Sequence, residues 1–257
     1  MGRIISVSSG KGGVGKTTVA ANLAYALSKY GKKVVAIDAD LDMANLELAF
    51  GMEGRPITLQ DVLNGEAHLE DATYEVDNNV YMVPAGISPS QFKRVDPEKF
   101  ADIVRQAAEN SDFVILDCPA GIGKDTTACF SASKEVIIVM TPEPMSATDA
   151  YKTLLVAEKM GNDVVGVVLN MVRGVKNELN SKEVTSLLNL TIIGTITEDS
   201  EVKQSVLSGK LLMKNNPQNA SAIEIKRVAA RLAGAKFVEE QPKKSFLSGL
   251  FGIFKRR

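Results

Sequence analysis

Two lysines lie close together in the glycine-rich stretch GKGGVGKTT, residues 10–18. Within it, Gly10, Gly15, Lys16 and Thr17 satisfy the spacing GxxxxGK[ST], after an apolar run and before a helical pattern. Glycines let backbone N–H groups turn around phosphate oxygens, and the N-terminus of the next helix adds a positive dipole. The motif lysine contacts the terminal phosphates and the hydroxyl ligates Mg²⁺. The stretch therefore predicts a nucleoside triphosphate site; the alternative is a glycine-rich turn without a ligand.

Four aspartates follow apolar runs that resemble strands. Asp38 ends one such run, and Asp40 and Asp42 come directly after it in AIDADLDMAN. Asp117 ends the run FVIL, which is the Walker-B pattern of an acid at a strand end facing Mg²⁺. An ATPase must hold its magnesium and orient the attacking water, and acids at this edge of a sheet could supply both functions. Loop and helix-capping aspartates are the alternative for any one of them.

Short apolar runs alternate with longer helical patterns along the chain. Several of the runs lack polar alternation, as in strands that are covered on both faces. The runs predict strands over residues 3–9, 33–38, 80–86, 113–117, 136–142, 164–170 and 192–197, and the patterns between them predict helices such as 17–30, 97–110, 146–160 and 221–236. This alternation implies right-handed crossovers and a mainly parallel sheet, with ligands at the carboxyl ends of the strands.

The composition narrows the class of protein. With 30 basic and 31 acidic residues the formal net charge is −1, so the bulk charge does not favour nucleic-acid binding. Two cysteines, Cys118 and Cys129, and one histidine, His68, are too few for a zinc or iron–sulfur site within one chain, although a cluster shared between two subunits stays open. Cys118 has no triad pattern and is interpreted as structural. We expect an intracellular chain without a signal peptide or a membrane-spanning segment.

The C-terminal residues form a separate, amphipathic unit. A predicted α/β body over 1–237 is followed by a polar linker over 238–244 and a tail over 245–257. On a helical projection, large apolar side chains of the tail share one face, with basic residues around the other, which is typical of an interfacial helix. These are Phe246, Leu247, Leu250, Phe251, Ile253 and Phe254. One tail binds lipid weakly, because ordering it offsets most of the burial. A last helix that docks on the body is the alternative.

The stretch KGGVGKTT, residues 11–18, resembles the deviant Walker A motif of the MinD/ParA ATPases. DCPAGI (117–122), TPEPMSATDA (141–150) and LNMVRG (169–174) are similar to the MinD branch of that family. The resemblance covers essentially the whole chain. It implies a three-layer α/β/α P-loop NTPase fold, ATP hydrolysis with Mg²⁺, and a dimer that encloses two ATP molecules face to face. It also implies that Lys11 reaches the nucleotide of the partner.

The resemblance also implies a role for each matching position. Lys11, Lys16 and Asp40 are expected to act in catalysis, with Asp40 on the hydrolytic water. Nucleotide contacts are expected from Gly10, Lys11, Gly12, Gly13, Val14, Gly15, Lys16, Thr17, Thr18, Asn170 and Arg173, with Asn170 at the adenine edge. Metal contacts are expected from Thr17, Asp38, Asp40 and Asp117.

Two positions depart from the family pattern. Thr197 stands where a proline is expected, so the resemblance does not establish which residue forms this side of the adenine-binding site. Gly123 stands where bacterial members often have glutamate, so activator contacts inferred from those members do not carry over to this position.

The expected function is that of a MinD-type ATPase that dimerises with ATP, attaches reversibly to an anionic membrane on its cytoplasmic face and positions division or other machinery, with slow hydrolysis resetting the cycle. The expected partner is a protein of the Min type, either an inhibitor or an activator. Neither specific nucleic acid nor an iron–sulfur cluster is expected. Three alternatives from the same superfamily remain: a flagellum-number ATPase, a ParA-type ATPase that partitions DNA, and a metal-cluster carrier or reductase.

Overall fold

The computed structural model describes residues 1–86 and 96–237, which form one eight-stranded sheet with helices on both faces. The strand order is β3-β4-β2-β5-β1-β6-β7-β8; β3 runs antiparallel to β4 and the other neighbours are parallel. The strands are β1 (Arg3–Ser9), β2 (Val34–Asp38), β3 (Tyr74–Asp77), β4 (Val80–Val83), β5 (Phe113–Ala120), β6 (Glu135–Met140), β7 (Asp163–Val172) and β8 (Ile192–Thr197).

Ten helices surround the sheet in the described part of the chain. They are α1 (Lys16–Ser28), α2 (Leu46–Phe50), α3 (Leu59–Asn64), α4 (Pro97–Glu109), α5 (Lys124–Ala132), α6 (Pro144–Lys159), α7 (Ser181–Leu188), α8 (Ser200–Leu207), α9 (Leu212–Asn215) and α10 (Ala220–Ala233). Helices α1 and α10 pack together on one face, with α2 and α9 beside them, and α4, α5 and α6 cover the other face. The predicted three-layer fold is confirmed.

The sheet is buried on both faces, which explains its continuous apolar strands. Successive residues of β6 illustrate this: Ile137 packs in the layer of α1 and α10, and Ile138 packs in the layer of α6. Both side chains are fully buried. The central strands therefore carry little conformational freedom, and the groups at their carboxyl ends are held in place by a packed core.

The seven predicted strands are present, and the bounds of the four predicted helices agree to within a few residues. The sequence did not predict β3, because this short edge strand alternates apolar and polar residues and contains no continuous apolar run. It also ended β5 too early, since pairing with β1 continues to Ala120. Pro97 occupies the first turn of α4, as predicted, behind the capping carboxylate of Asp96.

None of the helices in residues 1–86 and 96–237 is both long and apolar enough to cross a membrane. The predicted linker 238–244 and the predicted membrane contacts lie outside the described residues. Those contacts are Phe246, Leu247, Leu250, Phe251, Ile253 and Phe254.

Candidate functional site

The glycine-rich loop joins β1 to α1 at the carboxyl edge of the sheet. Gly13 and Gly15 adopt left-handed backbone conformations, with φ values of 77° and 85°. Gly15 caps the N-terminus of α1 with no side-chain hydrogen bond, which leaves the first N–H groups of the helix free for a ligand. A Cβ on Gly15 would lie 2.3 Å from the amide nitrogen of Asn170. Only glycine satisfies both the backbone and this close approach.

Lys16 is buried and bonded to the Walker-B aspartate. Its Nζ donates to Oδ1 of Asp117 over 2.8 Å, and the two side chains are 8% and 2% exposed. Burial lowers the pKa of Lys16, but the charge and hydrogen bond of Asp117 outweigh this effect and hold the pKa above its ordinary value. The ammonium group is therefore charged and sits at the base of the loop, and its phosphate contact stays a prediction.

Asp38 lies beside Asp117 on the neighbouring strand, where the two residues are in register. Its carboxylate accepts hydrogen bonds from the backbone N–H groups of Asp40 (3.1 Å), Asn45 (3.1 Å) and Leu46 (2.9 Å). Burial and the charge of Asp117 raise the pKa of Asp38 to about 8, although the three hydrogen bonds oppose the change. Asp38 thus ties the loop after β2 to the sheet, a role that the sequence reading did not foresee.

A cavity of about 550 Å³ opens over the loop and contains most of the groups needed for phosphate chemistry. It is lined by Ser9, Gly12, Gly13, Gly15, Lys16, Thr17, Thr18, Asp40, Met43, Asn45, Leu48, Ala49, Glu53, Ala120, Val206, Leu207 and Gly209. Burial raises the pKa of Asp40, and the N–H of Met43 and the charge of Lys16 partly offset it. Asp40 therefore combines access to the cavity with an increased basicity, which suits a group that orients water.

The donor set fits Mg²⁺ bound together with a nucleotide. Among residues 1–86 and 96–237, no three His, Cys, Asp or Glu side chains are grouped so as to hold a metal by themselves. Mg²⁺ usually takes one or two protein oxygens and completes its shell with phosphate oxygens and water. Thr17 and Asp40 line the cavity, and the buried pair Asp38 and Asp117 lies behind it. A divalent cation here would oppose the effects of burial and of the Asp117 charge, which together raise the pKa of Asp38.

A second cavity of about 460 Å³ adjoins the first at Gly13, Gly15 and Thr18. Its other lining residues are Asn170, Met171, Thr197, Glu198, Asp199, Val202, Lys203, Val206 and Leu207. Apolar side chains from α8 face polar groups at the ends of β7 and β8, which suits an aromatic base with hydrogen-bonding edges. The sequence reading missed the α8 residues. Their spacing, with Val202 and Val206 one turn apart, is the signal that could have indicated this wall.

Asn170 and Thr197 lie in this second cavity, whereas Arg173 does not line either cavity. Asn170 is 7% exposed and its amide donates to the carbonyl of Val14 over 2.7 Å, so the end of β7 braces the phosphate loop. The guanidinium of Arg173 pairs with Glu178 at 3.1 Å and lies 3.7 Å from Glu198. The predicted nucleotide contact by Arg173 stays a prediction, since it requires this side chain to leave its two carboxylates.

Lys11 takes a place quite different from that of Lys16. Its Nζ donates to Oε2 of Glu143 over 2.9 Å, at the start of α6, and both side chains are partly exposed, 34% and 48%. The hydrogen bond from Lys11 holds the pKa of Glu143 below its usual range. Lys11 does not line either cavity, so its charge lies on the rim of the site, beside Glu143.

The two cysteines pack inside the molecule. Cys118 and Cys129 are both free thiols, 0% and 1% exposed. A hydrogen bond with Cys118 and complete burial raise the pKa of the Cys129 thiol. Thiols in such surroundings are inert, in agreement with the structural interpretation of Cys118. Gly123 begins α5 in an extended conformation, and a Cβ there would meet no other atom within 4 Å.

Comparison with known proteins decides the family. Residues 5–212 match the CobQ/CobB/MinD/ParA nucleotide-binding domain. The chain belongs to the MinD/ParA family. An ATP-binding protein of Methanocaldococcus jannaschii is 42% identical and covers 96% of this chain and 96% of its own length. The septum site-determining protein MinD of Bacillus subtilis is 32% identical, with 98% of this chain and 99% of that protein covered.

Solved structures of MinD proteins share the fold. The cell division ATPase MinD of Pyrococcus furiosus has a TM-score of 0.87 and 36% identity, covering 91% of this chain and 99% of its own. MinD of Pyrococcus horikoshii in complex with Mg-ADP has a TM-score of 0.86 and 36% identity, with 90% and 96% covered. The MinC:MinD cell division complex of Aquifex aeolicus matches with a TM-score of 0.81 and 30% identity, over 93% and 98%.

Proposed function

We propose that this member of the MinD/ParA family is a MinD-type membrane switch. The chain is an ATPase, and its ligands are ATP and Mg²⁺. In the proposed cycle, ATP joins two chains face to face, the dimer attaches to the inner face of the cell membrane and positions division or other machinery, and slow hydrolysis releases it.

The different places of the two lysines are the observation that carries the proposal. Lys16 is buried at the base of its own loop, whereas Lys11 lies on the rim and is held by the exposed Glu143. A lysine that acts only on the nucleotide of its own chain is expected to line the cavity of that chain and not its rim. A second chain that approaches the rim would receive this charge at its own phosphates.

A positive charge supplied by a second chain explains how ATP would control association. The role is comparable to that of an arginine finger, which is worth about 10³–10⁵ in rate. Without the terminal phosphate, two lysine-bearing loops that face one another repel. With ATP bound, the added negative charge attracts the partner's Lys11, which exchanges Glu143 for phosphate oxygens.

Within each chain, the described side chains divide the work of hydrolysis. Bound ATP supplies the scissile phosphoanhydride, and Mg²⁺ neutralises charge on its oxygens. Lys16 and the N–H groups at the start of α1 bind the phosphates, and Thr17 offers its hydroxyl to the metal. Asp40 orients the attacking water from the first cavity, while Asp38 fixes the loop that carries Asp40.

Membrane attachment would depend on having two tails. One amphipathic tail binds lipid weakly, but two joined in a dimer gain about 10²–10⁴ in avidity because the second insertion is intramolecular. ATP would thereby control residence on the membrane through dimerisation. We also propose a protein partner of the Min type, which the MinC:MinD complex of the Aquifex relative supports by analogy.

Co-sedimentation with anionic vesicles tests the proposal. Full-length protein and a chain that ends at Gln241 are compared with Mg²⁺ and either ATP or ADP. We expect only the full-length protein with ATP to pellet. Equal sedimentation with ATP and with ADP would show that membrane binding by the tail does not depend on the bound nucleotide. A complete failure to pellet, together with retention on DNA, would replace the membrane switch by a DNA-partitioning function.

A further inference from the structure

One end of the α1–α10 layer carries a group of basic residues that the proposed ATP cycle does not use. They are Lys29, Lys32, Arg227, Arg231 and Lys236, here called the basic end. Lys29, Arg227, Arg231 and Lys236 are exposed and Lys32 is half-buried. These residues come from the end of α1, the loop after it, and the second half of α10 with the residues that follow it.

The contacts of α1 and α10 bring these residues to one place. The hydroxyl of Tyr30 donates to the carbonyl of Lys226 over 3.3 Å, which joins the end of α1 to the middle of α10. The guanidinium of Arg3, at the start of β1, donates to the carbonyl of Leu232 in the last turn of α10. Lys32 precedes β2, which is separated from β1 by β5 alone, a distance of about 10 Å at the usual strand spacing.

Acidic residues compensate little of this charge. Arg227 pairs with Glu224 over 2.9 Å, and Lys29 lies over the ring of Tyr25 at 4.1 Å. Within residues 1–86 and 96–237, Lys32, Arg231 and Lys236 form no ion pair. The net charge of the whole chain is only −1, so the basic end is a local feature rather than part of a generally basic surface.

The basic end lies where the described chain stops. The ring of Phe237 packs 5.1 Å from the guanidinium of Arg227, so the chain turns back along α10 before residue 238. Residues 238–257 continue from this point and include five basic residues and six large apolar ones. The basic end is also at the opposite end of α1 and α10 from the phosphate loop. Joining two chains at their phosphate loops leaves it uncovered.

We propose that the basic end is a contact surface for anionic lipid headgroups, which holds the folded body against the membrane beside the inserted C-terminal residues. The inference rests on the membrane attachment proposed above and adds a second, electrostatic contact to it. An apolar and basic tail, joined to the basic end by the short linker 238–244, favours a lipid surface over a nucleic acid, because headgroups and acyl chains can then be bound side by side.

The expected effect is measurable, since each lysine or arginine near an anionic surface is worth about fivefold in partitioning. The test uses the full-length variant Lys32→Gln/Arg231→Gln, with one change in the loop after α1 and one in α10. Its matched control is Lys99→Gln/Lys182→Gln, which loses the same charge from exposed positions on α4 and α7. All proteins receive ATP and Mg²⁺ and are sedimented with phosphatidylcholine vesicles, with and without phosphatidylserine.

We expect Lys32→Gln/Arg231→Gln, here called the patch variant because it changes the basic end, to bind phosphatidylserine vesicles at least about tenfold more weakly than wild type. The control variant should bind like wild type. Added salt should reduce this difference, because headgroup attraction is screened. ATPase activity and thermal unfolding should be unchanged in the patch variant, since its residues lie outside both cavities. Equal binding of the two variants would overturn the inference and leave the membrane switch intact.

The remaining outcomes separate the inference from the proposed function. If wild type fails to bind vesicles with either nucleotide, both fall together. If only the patch variant loses retention on duplex DNA while its vesicle binding equals that of the control, the basic end is a nucleic-acid surface and the lipid assignment is wrong.

Discussion

Asp38 illustrates at the scale of one residue how the site balances structure against charge. Its three backbone hydrogen bonds hold the loop from Asp40 to Leu46, yet the carboxylate is fully buried beside Asp117. Burial and this neighbour raise the pKa of Asp38 to about 8. A cation bound at this edge of the sheet would favour the ionised carboxylate and so lower the pKa of Asp38.

The raised pKa predicts a pH-dependent stability for the ligand-free protein. An unfolded aspartate has a pKa of about 3.9, so between about pH 4 and 8 the folded state holds a proton that the unfolded state releases. The free energy of unfolding should fall as the pH rises through this window, by at most about 1.4 kcal/mol per pH unit. Urea unfolding at several pH values measures the slope.

The variant Asp38→Asn is the control for this pH effect. It has no proton to release at this position, so its stability should depend less on pH, even if lost hydrogen bonds lower the stability throughout. Asp40 and Glu47 also have raised pKa values and contribute a residual slope of the same sign. An unchanged slope in the variant would show that Asp38 is ionised in the folded protein.

At the scale of elements, α8 is fastened to α10 by side chains at their N-termini. Asn219 caps α10 by accepting from the N–H of Ser221 over 2.8 Å. Its amide also donates to Asp199, the cap of α8, over 2.6 Å and to Glu201 over 3.0 Å. Because Asp199 and α8 line the second cavity, these hydrogen bonds between the N-termini of α8 and α10 fix the cavity wall that is expected to contact the adenine base.

Removing the Asn219 hydrogen bonds should lower both the stability of the fold and the affinity for nucleotide. Asn219→Ala removes a helix cap, at a cost of about 1 kcal/mol in the free energy of unfolding. It also frees α8, which should raise the Kd for ADP about fivefold, the equivalent of one net hydrogen bond. Isothermal titration calorimetry and urea unfolding measure the two effects.

Asn180→Ala provides the matched control for Asn219→Ala. Asn180 caps α7 by accepting hydrogen bonds from the N–H groups of Lys182 (3.0 Å) and Glu183 (3.1 Å), and it lines neither cavity. Its loss should lower stability by a similar amount and leave the Kd for ADP unchanged. A similar rise in Kd for both variants would indicate that general stability, and not the position of α8, controls binding.

At the scale of the whole molecule, the proposed dimer predicts complementation between two inactive variants. Lys11→Ala lacks the charge offered to the partner, and Asp40→Ala lacks the group that orients water. In a mixed dimer, the Lys11→Ala chain keeps its own Asp40 and receives Lys11 from the other chain. One of its two sites is complete, so an equal mixture should recover up to about a quarter of the wild-type rate.

Phosphate release at increasing protein concentration measures this complementation. Each variant alone should stay near the background rate, and the mixture should gain activity as the dimer forms. A mixture that equals the average of the two variants at all concentrations would indicate that Lys11 acts on the nucleotide of its own chain.

Local chemistry by itself determined much of this protein. The phosphate loop could be read from nine consecutive residues, because glycine conformation, the helix dipole and the lysine act within that stretch. The central strands were equally readable, since burial on both faces requires continuous apolar runs. Asp38 and Asp117 could be placed at one edge because parallel strands end together.

Tertiary structure alone decided how distant parts of the chain meet. The strand order places β5 between β1 and β2, and β6 and β7 beyond β1, so residues far apart in sequence become neighbours at the site. This order brings Glu143 to Lys11, Asn170 to Val14, and α8 to the second cavity. Periodicity and motifs can mark single residues or faces, but not which of them meet, because these contacts arise from crossover connections and core packing, which involve the whole sheet at once.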